Sequence, residues 1–366
     1  MSVVRPSEAE SVLRPDPPAP LLRPRRGRTT AALRELVAET VVLPRQLALP
    51  HFVVAGVGRE DDVVSLPGVA RRSVDRLLPR IERQLRAGVR TALLFGVPAE
   101  HEKDPDGGGA SDPEGPVPQA LRAARAAFGD DVVLVTDVCL CAYTSHGHCG
   151  VLAPPRPHGA ELVIDNDASL ERLSAMAAVH AAAGADLVSP SDMMDGRVAA
   201  LRARLDGEGF AAVGIISYAV KYASAFYGPF RDAAGSSPGS ATAATEPAPD
   251  GPAPPATRAS YQMDFRNARE ALREAALDEA EGADMLLVKP ALPYLDVLAR
   301  LRPATALPLV AYQVSGEYAM LKAAAAAGVL DEASAARETL YAIRRAGADV
   351  IVSYWALDAV ERGWLG

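Results

Sequence analysis

The amino-acid sequence predicts a (β/α)8 TIM barrel with an extended N-terminal arm. Short apolar runs occur eight times along the 366-residue chain, separated by segments rich in Ala, Arg, Leu and Glu with helical spacing. Three helical segments end in Gly-Ala-Asp just before the next apolar run. Alternating strands and helices are typical of parallel βαβ units, and eight such units predict a closed barrel. A doubly wound open sheet is the alternative, although no GxGxxG motif follows the first predicted strand.

Each predicted element has its own sequence signal. Strands are expected at the apolar runs 47–54, 91–97, 132–138, 187–190, 212–218, 285–289, 307–314 and 350–354. Helices are expected between them, for example at 73–87, 169–183 and 268–281, where apolar residues recur at helical spacing. Glycine stops helices because it adopts the left-handed conformation, so Gly184, Gly282 and Gly347 are predicted helix ends.

Two segments lie outside this pattern. Residues 1–40 are rich in Pro and Arg at first and helical later, and we expect an N-terminal arm that packs on a neighbouring subunit. Residues 41–366 form the predicted catalytic barrel. Residues 235–256 contain almost only Gly, Ser, Pro, Ala and Thr, a composition that cannot bury a core. They predict a disordered insert in the loop after the fifth strand, on the side where barrel active sites form.

Composition excludes several classes of protein. Apolar residues make up 49% and charged residues 23%, which is typical of a soluble globular chain. The net charge of -8 argues against nucleic acid as a partner. No apolar run approaches the roughly 20 residues of a membrane span, and no signal peptide is recognisable. We therefore expect a cytoplasmic protein whose thiols stay reduced.

All three cysteines fall in one short stretch, Cys139, Cys141 and Cys149, with His146 and His148 between them. Buried free cysteines are common, but three together beside two histidines favour a soft metal such as zinc. Three thiolates leave a fourth tetrahedral position open, and an open position is typical of a catalytic metal.

Lysine is rare in this chain. Only four of the 38 basic residues are lysine, and Lys103 and Lys322 stand where solvated positions explain them. Lys221 and Lys289 instead follow apolar, strand-like runs that are consecutive in the predicted barrel. Two ammonium groups on neighbouring strands depress each other's pKa, and a neutral amine attacks carbonyls to form a Schiff base. The alternative for each lysine is a structural ion pair with a carboxylate.

Other side chains stand at the predicted carboxyl ends of strands, where barrel enzymes build their active sites. These are Asp137, Ser191, Asp192, Tyr312, Ser315, Ser353 and Tyr354.

Several motifs together resemble those of the porphobilinogen synthase (5-aminolevulinate dehydratase) family, of the zinc-cysteine type. They are DVCLCAYTSHGHCGVL (137–152), SDMMDGRV (191–198), SYAVKYASAFYGPFRDA (217–233), YQMDFRNAREALREAALDEAEGADMLLVKPALPYLD (261–296) and YQVSGEYAM (312–320). The resemblance implies condensation of two 5-aminolevulinate molecules to porphobilinogen with loss of two waters, in tetrapyrrole (haem) biosynthesis.

The resemblance also implies roles for the reacting residues. Lys289 corresponds to the lysine that binds the first substrate as a Schiff base, and Lys221 to the lysine at the second substrate's site. The three cysteines correspond to ligands of a catalytic zinc, with His146 and His148 outside the ligand set. Asp137 is a candidate for proton transfer.

Carboxylate binding is assigned in the same way. By the resemblance, Arg231, Arg258 and Gln262 hold the second substrate's carboxylate. Ser315 and Tyr354 hold the first substrate's carboxylate, and Ser191 and Tyr312 are further candidates from their strand ends. By the resemblance, the disordered insert at 235–256 lengthens the family's lid. This lid insert and the Thr257-Arg258 pair depart from the family pattern and leave the Arg258 assignment open.

Regulation and assembly are implied as well. The stretch ending at Glu274, followed by Asp278, resembles an allosteric magnesium site, with Arg197 expected to approach it from a neighbouring subunit. A solvated helix face is the alternative for Glu274. The family and the arm together imply a homo-octamer.

Two other functions compete with this interpretation. A class I aldolase-like barrel would need a single Schiff-base lysine and no cysteine metal site. A scaffold with purely structural zinc would need no lysine pair. Neither alternative predicts both lysines.

Overall fold

The computed structural model describes residues 23–238 and 252–365, and the chain divides into the units Met1–Val41 and Val42–Gly366. In the first unit the described residues form a 3-10 turn, Pro24–Arg28, and helix α1, Ala31–Leu36. The Thr30 hydroxyl caps α1 by accepting the Leu33 N–H at 3.2 Å. Packing of this arm on another subunit stays a prediction. The centre of the predicted insert, 239–251, lies outside the described residues. Its two ends are ordered, since the Gly235 carbonyl accepts the Lys103 ammonium at 2.6 Å and the Pro255 carbonyl bonds to His148 Nε2 at 2.8 Å, so the predicted disorder is wrong for 235–238 and 252–256.

The second unit is built around a closed parallel barrel, which confirms the predicted fold class. Its described strands are β1 Leu47–Val53, β2 Glu60–Asp62, β3 Ala70–Arg72, β4 Thr91–Gly96, β5 Val133–Val138, β6 Val151–Ala153, β7 Val163–Asp165, β8 Leu187–Pro190, β9 Gly214–Lys221, β10 Met285–Lys289, β11 Leu309–Gln313 and β12 Val350–Ser353. The barrel order is β1-β4-β5-β8-β9-β10-β11-β12, and β12 closes on β1 with Leu47 opposite Ile351. Strands β2 and β3 extend one edge of β1, and β6 and β7 form a separate hairpin.

Helices follow the strands and cover the barrel. They are α2 Val74–Arg86, α3 Pro116–Phe128, α4 Asn166–Ala182, α5 Arg197–Gly207, α6 Gly228–Ala234, α7 Arg269–Ala280, α8 Leu295–Leu301, α9 Ser315–Ala326, α10 Glu332–Arg345 and α11 Ala356–Glu361. Helix α2 shows how the pattern works, because it buries Leu77, Ile81 and Gln84 on one face at helical spacing.

The three Gly-Ala-Asp triplets do more than end helices. Their glycines have positive φ angles of 105° at Gly184 and Gly282 and 121° at Gly347, as expected for helix stops. The aspartate of each triplet accepts the N–H of a residue on the strand before it in the barrel. The bonds are Asp186 to Leu134 at 2.7 Å, Asp284 to Ile215 at 2.7 Å and Asp349 to Leu309 at 2.9 Å. Each triplet therefore joins a helix end to the amino-terminal rim of the barrel.

Strand β9 is longer than predicted and irregular. It runs to Lys221, whereas the apolar run predicted an end at 218. Its pairing with β10 shifts register between Leu286 and Val288, so that two residues of β9 stand opposite one of β10. Such a bulge changes which side chains face inward, and bulges are frequent beside active sites. Here it brings Tyr218 and Lys221, three residues apart, to the same part of the barrel interior.

Candidate active site

The two lysines stand side by side at the carboxyl ends of β9 and β10. Lys221 is directly opposite Lys289 in the strand register, and each residue is 4% exposed. Their ammonium groups share one aromatic neighbour, since the Tyr218 ring centroid lies 5.7 Å from Lys221 Nζ and 5.1 Å from Lys289 Nζ. The structure therefore brings together the two amines that the sequence singled out.

Aromatic rings surround the Lys289 amine. Besides Tyr218, its Nζ lies 4.6 Å from the Tyr312 ring centroid, 4.8 Å from Phe230 and 5.3 Å from Tyr227. Burial, with the nearby charge of Lys221, lowers the pKa of Lys289 to about 7. An appreciable fraction of this amine is therefore neutral, and nucleophilic, near neutral pH.

Polar groups from β5 and the β8 end complete the surroundings of the lysines. The Lys221 ammonium donates to the backbone carbonyl of Ser191, and the Ser191 hydroxyl donates to Asp137. Burial raises the pKa of Asp137, against the opposing effect of both lysine charges. Its Oδ1 has no hydrogen-bond partner within the described part of the chain. Asp137 is thus suited to exchange a proton beside either amine.

The three thiols form a compact buried cluster. The sulfur atoms of Cys139, Cys141 and Cys149 all lie within 4.8 Å of one another, and the first two are 3.3 Å apart. Hydrogen bonds from the other two thiols lower the pKa of Cys149 well below its ordinary value. Among the described residues no other group of three or more His, Cys, Asp or Glu side chains is close enough to hold a metal. Three sulfur donors without a fourth protein ligand fit a zinc ion with one open position.

The two histidines beside the thiols are held by other partners. His146 Nε2 donates to the Pro105 carbonyl at 3.0 Å, and its Nδ1 accepts the His148 N–H at 3.1 Å. His148 Nε2 donates to the Pro255 carbonyl at 2.8 Å, and its Nδ1 lies 3.1 Å from the Tyr261 hydroxyl. Both histidines therefore shape the loop that carries Cys149.

Tyr261 bonds to this loop from another part of the chain, a role that no sequence pattern predicted. Its hydroxyl accepts the Cys149 N–H at 3.3 Å and bonds to His148, and its ring packs against the thiol cluster. Hydrogen-bonded groups behind metal ligands orient those ligands. Only a tertiary contact identifies this tyrosine, since 112 residues separate it from Cys149.

The predicted binders of the second carboxylate occupy different environments. Arg258 is buried and donates to the carbonyls of Gly147 and Ser236 at 2.8 and 2.6 Å. The buried Nε atoms of Arg231 and Arg258 have no hydrogen-bond partner in the described ranges, and neither does the side-chain amide of Gln262. The N–H groups of these side chains can donate to a bound anion, although Arg258 also holds the backbone around it.

The predicted binders of the first carboxylate are engaged with other groups, and the further candidate Tyr312 lies beside Lys289. The hydroxyls of Tyr312 and Tyr354 lie 3.2 Å apart. The Ser315 hydroxyl accepts the Phe230 N–H at 2.9 Å and donates to the Phe226 carbonyl at 3.3 Å. Ser315 thus supports the start of α6 in this conformation.

The candidate magnesium region differs from expectation in one respect. Arg197 was expected to reach it from another subunit, but its buried guanidinium pairs with Asp278 of its own chain at 2.7 Å. The Ser217 hydroxyl also donates to Asp278, at 2.5 Å. Glu274 lies near this pair at the edge of a cavity of about 1010 Å³ that Gln262 also lines. Burial, with the charge of Asp278, raises the pKa of Glu274.

The other two lysines make ion pairs, and Lys322 keeps 18% of its side chain exposed. The Lys103 side chain is 3% exposed, pairs with Glu100 at 2.7 Å and donates to the Gly235 carbonyl at 2.6 Å. Lys322 pairs with Glu332 at 2.6 Å, and its Nζ lies 4.5 Å from a ring centroid of Trp355. The prediction of a solvated position was wrong for Lys103, because the carbonyl that it reaches lies 132 residues away.

Comparisons with known proteins match nearly the whole chain. A family model described as Delta-aminolevulinic acid dehydratase matches residues 21–362. The Delta-aminolevulinic acid dehydratase of Streptomyces coelicolor is 46% identical over 342 residues, which cover 93% of this chain and 97% of the relative. That of Escherichia coli is 46% identical over 340 residues, with coverage of 93% and 97%.

A solved structure has the same fold. The delta-aminolevulinic acid dehydratase (porphobilinogen synthase) of Toxoplasma gondii ME49, in complex with the reaction product porphobilinogen, superposes with a TM-score of 0.85 and 44% identity. The match covers 93% of this chain and 91% of that one. In the described part of the chain, no helix has the length and apolar character needed to cross a membrane.

Proposed function

The chain belongs to the delta-aminolevulinic acid dehydratase family, and we propose that it condenses two 5-aminolevulinate molecules to porphobilinogen through Schiff bases at Lys289 and Lys221. The observation that carries the proposal is the register pairing of these two buried lysines beside three clustered thiols. An aldolase-like barrel or a zinc scaffold has no need of this arrangement, and the family membership sets both alternatives aside.

The two amines supply the covalent chemistry. Each neutral amine attacks the ketone carbon of one substrate molecule and forms an imine, releasing one water. The imines hold both substrates beside each other, so bond formation between them becomes effectively intramolecular. Ring closure returns both lysine amines, and the two waters carry away the two ketone oxygens. Lys289 reacts first in this proposal, because burial favours its neutral form.

Asp137 moves protons in this scheme. Its raised pKa, and an Oδ1 that no described group hydrogen-bonds, suit a carboxyl that accepts a proton from an ammonium or from a substrate carbon and later returns it. The Ser191 hydroxyl orients it, and the Ser191 carbonyl fixes the neighbouring Lys221.

Zinc is the proposed metal of the thiol cluster. Sulfur ligands suit zinc and do not suit magnesium, which prefers oxygen. When bound, zinc would supply a Lewis acid that polarises a carbonyl or lowers the pKa of a water. Tyr261 and His148 would keep the Cys149 loop in a conformation that presents the three thiolates together.

Two sets of groups are proposed to bind the two substrate carboxylates. Arg231, with Gln262 and the Arg258 Nε that has no partner among the described residues, would bind the second substrate through charge-assisted hydrogen bonds. The Tyr312 and Tyr354 hydroxyls would bind the first substrate's carboxylate, with Ser315 joining them once its hydroxyl turns from Phe226.

An activity assay with metal control tests this proposal. The purified protein should form porphobilinogen from 5-aminolevulinate, lose that activity on chelation and regain it with zinc. Cys149→Ser should abolish condensation yet leave Schiff-base formation at Lys289 largely intact. Full condensation by a metal-free C149S enzyme would contradict the metal assignment.

Assembly and regulation are part of the proposal. We expect a cytoplasmic homo-octamer whose arm, residues 1–40, packs on a neighbouring subunit, and a lid formed by the insert at 235–256. Glu274 is proposed to contribute to an allosteric magnesium site that water completes. The condensation itself is proposed to belong to haem biosynthesis. Native mass measurement with and without magnesium tests the octamer and the effect of the ion together.

A further inference from the structure

Helix α6 carries two side chains that face the active site. The Phe230 ring covers Lys289 at 4.8 Å, and the next residue, Arg231, is the proposed binder of the second carboxylate. The helix has only seven residues, so few hydrogen bonds of its own fix its position. Its start is held by Ser315, whose hydroxyl accepts the Phe230 N–H at 2.9 Å.

Cationic side chains hold the other end of α6. Arg71 Nε donates to the Ala233 carbonyl at 2.7 Å, and its Nη2 donates to the Asp232 carbonyl. Lys103 Nζ donates to the Gly235 carbonyl at 2.6 Å, and Arg258 donates to Ser236. We call Arg71, Lys103 and Arg258 the α6 anchor.

The α6 anchor draws on three separate parts of the barrel. Arg71 belongs to β3, Lys103 to the loop after β4, and Arg258 to the segment before α7. Carbonyls at a helix end carry partial negative charge, and hydrogen bonds from cations to them are stronger than neutral ones. The Lys103 side chain is 3% exposed, so water does not readily take its place.

Gly235 shows how closely the anchor fits. It ends α6 with a positive φ of 58°, and a Cβ added there would lie 3.2 Å from Lys103 Nζ. The lysine is therefore seated against the turn that ends the helix, four residues after Arg231.

We propose that Arg71 and Lys103 are positioning residues, which set the end of α6 so that the Arg231 guanidinium reaches the second substrate. They act through α6 and do not touch the substrate. The inference rests on the proposed function, which assigns the second carboxylate to Arg231. Because Ser315 holds the start of the helix independently, loss of the anchor should displace Arg231 and leave Phe230 over Lys289.

Steady-state kinetics of Lys103→Met and Arg71→Gln test this role. Each variant loses a hydrogen bond from a charged group that fixes the end of α6. The free energy of such a bond corresponds to a rise of about tenfold in the KM for 5-aminolevulinate. The kcat, the melting temperature and borohydride trapping at Lys289 should stay near wild type. Lys103→Arg should restore most of the KM, because it returns a buried cation to the Gly235 carbonyl.

Arg125→Gln is the matched control. Arg125 also donates to carbonyls at helix ends, those of Gly129 at 2.7 Å and Gly184 at 3.0 Å, but at the amino-terminal rim of the barrel. The KM of Arg125→Gln for 5-aminolevulinate should equal that of wild type.

Two results would overturn the inference. One is a wild-type KM in both Lys103→Met and Arg71→Gln. The other is a parallel loss of kcat, melting temperature and Lys289 trapping, which indicates loss of folded enzyme. A wild-type protein that forms no porphobilinogen would instead overturn the proposed function and this inference with it. An active wild type with unaffected variants overturns this inference alone.

Discussion

Removing the charge of Lys221 should make Lys289 harder to deprotonate. Lys221→Met abolishes condensation in the proposed mechanism, but Schiff-base formation at Lys289 remains measurable. Burial is the main cause of the lowered Lys289 pKa, and the Lys221 charge is the next. The substitution removes the second cause and leaves the aromatic surroundings of Lys289 in place.

The size of the effect follows from the geometry. Both ammonium groups lie within 6 Å of the Tyr218 ring centroid, at 5.7 and 5.1 Å. A separation of roughly 8 Å and an effective dielectric constant of about 20 give a repulsion of about 2 kcal/mol, or roughly 1.5 pKa units. The pKa of Lys289 should therefore rise from about 7 to roughly 8.5. Near neutral pH the reactive neutral fraction falls about 15-fold by the same relation.

The assay is the rate of borohydride trapping of 5-aminolevulinate on Lys289, followed across pH by peptide mass. Only the neutral amine reacts, so the rate rises with pH through the Lys289 pKa, and the midpoint should move upward in Lys221→Met. Lys221→Arg is the matched control, because it keeps the charge and should keep the midpoint near that of wild type. Equal midpoints in Lys221→Met and wild type would refute the argument that the two charges interact.

Three further predictions concern groups that support the site. Tyr261→Phe removes the hydroxyl that bonds to the Cys149 loop. Loss of such a group behind a metal ligand should weaken zinc affinity at least about tenfold, which competition with a chelating dye would measure. Glu317 accepts the buried N–H groups of three residues, so E317A should lower the free energy of unfolding in urea by about 3 kcal/mol, whereas exposed Glu338→Ala should leave it unchanged. Asp278→Asn breaks the buried ion pair with Arg197 and should lower the free energy of unfolding by about 3–5 kcal/mol. The double variant Asp278→Asn, Arg197→Met should regain part of that loss, and an unchanged free energy of unfolding in the single variant would contradict burial of the pair.

The barrel was predictable because its signals are local. Each of the eight barrel strands lies where an apolar run predicted it. The predicted strand ends also placed Lys221 beside Lys289, as the strand register shows. The three cysteines cluster because they share one loop. Local pattern is sufficient for these features, since a parallel barrel places all strand ends on one face.

The supporting groups were not predictable, since their partners are distant. Lys103 bonds to a carbonyl 132 residues away, and Tyr261 to an amide 112 residues away. Arg197 pairs within its own chain because Asp278, on another helix, lies in reach only after folding. The bulge that turns Tyr218 toward both lysines depends on the pairing of β9 with β10, which no single segment encodes.

Mass mapping of borohydride-reduced adducts tests the central claim most directly. The chain has only four lysines, so peptides distinguish every possible site. After reaction with 5-aminolevulinate and reduction, the account predicts adducts on Lys289 first and on Lys221 at higher substrate concentration, with Lys103 and Lys322 unmodified. An active enzyme that shows no adduct on Lys289, or adducts spread equally over all four lysines, would contradict it.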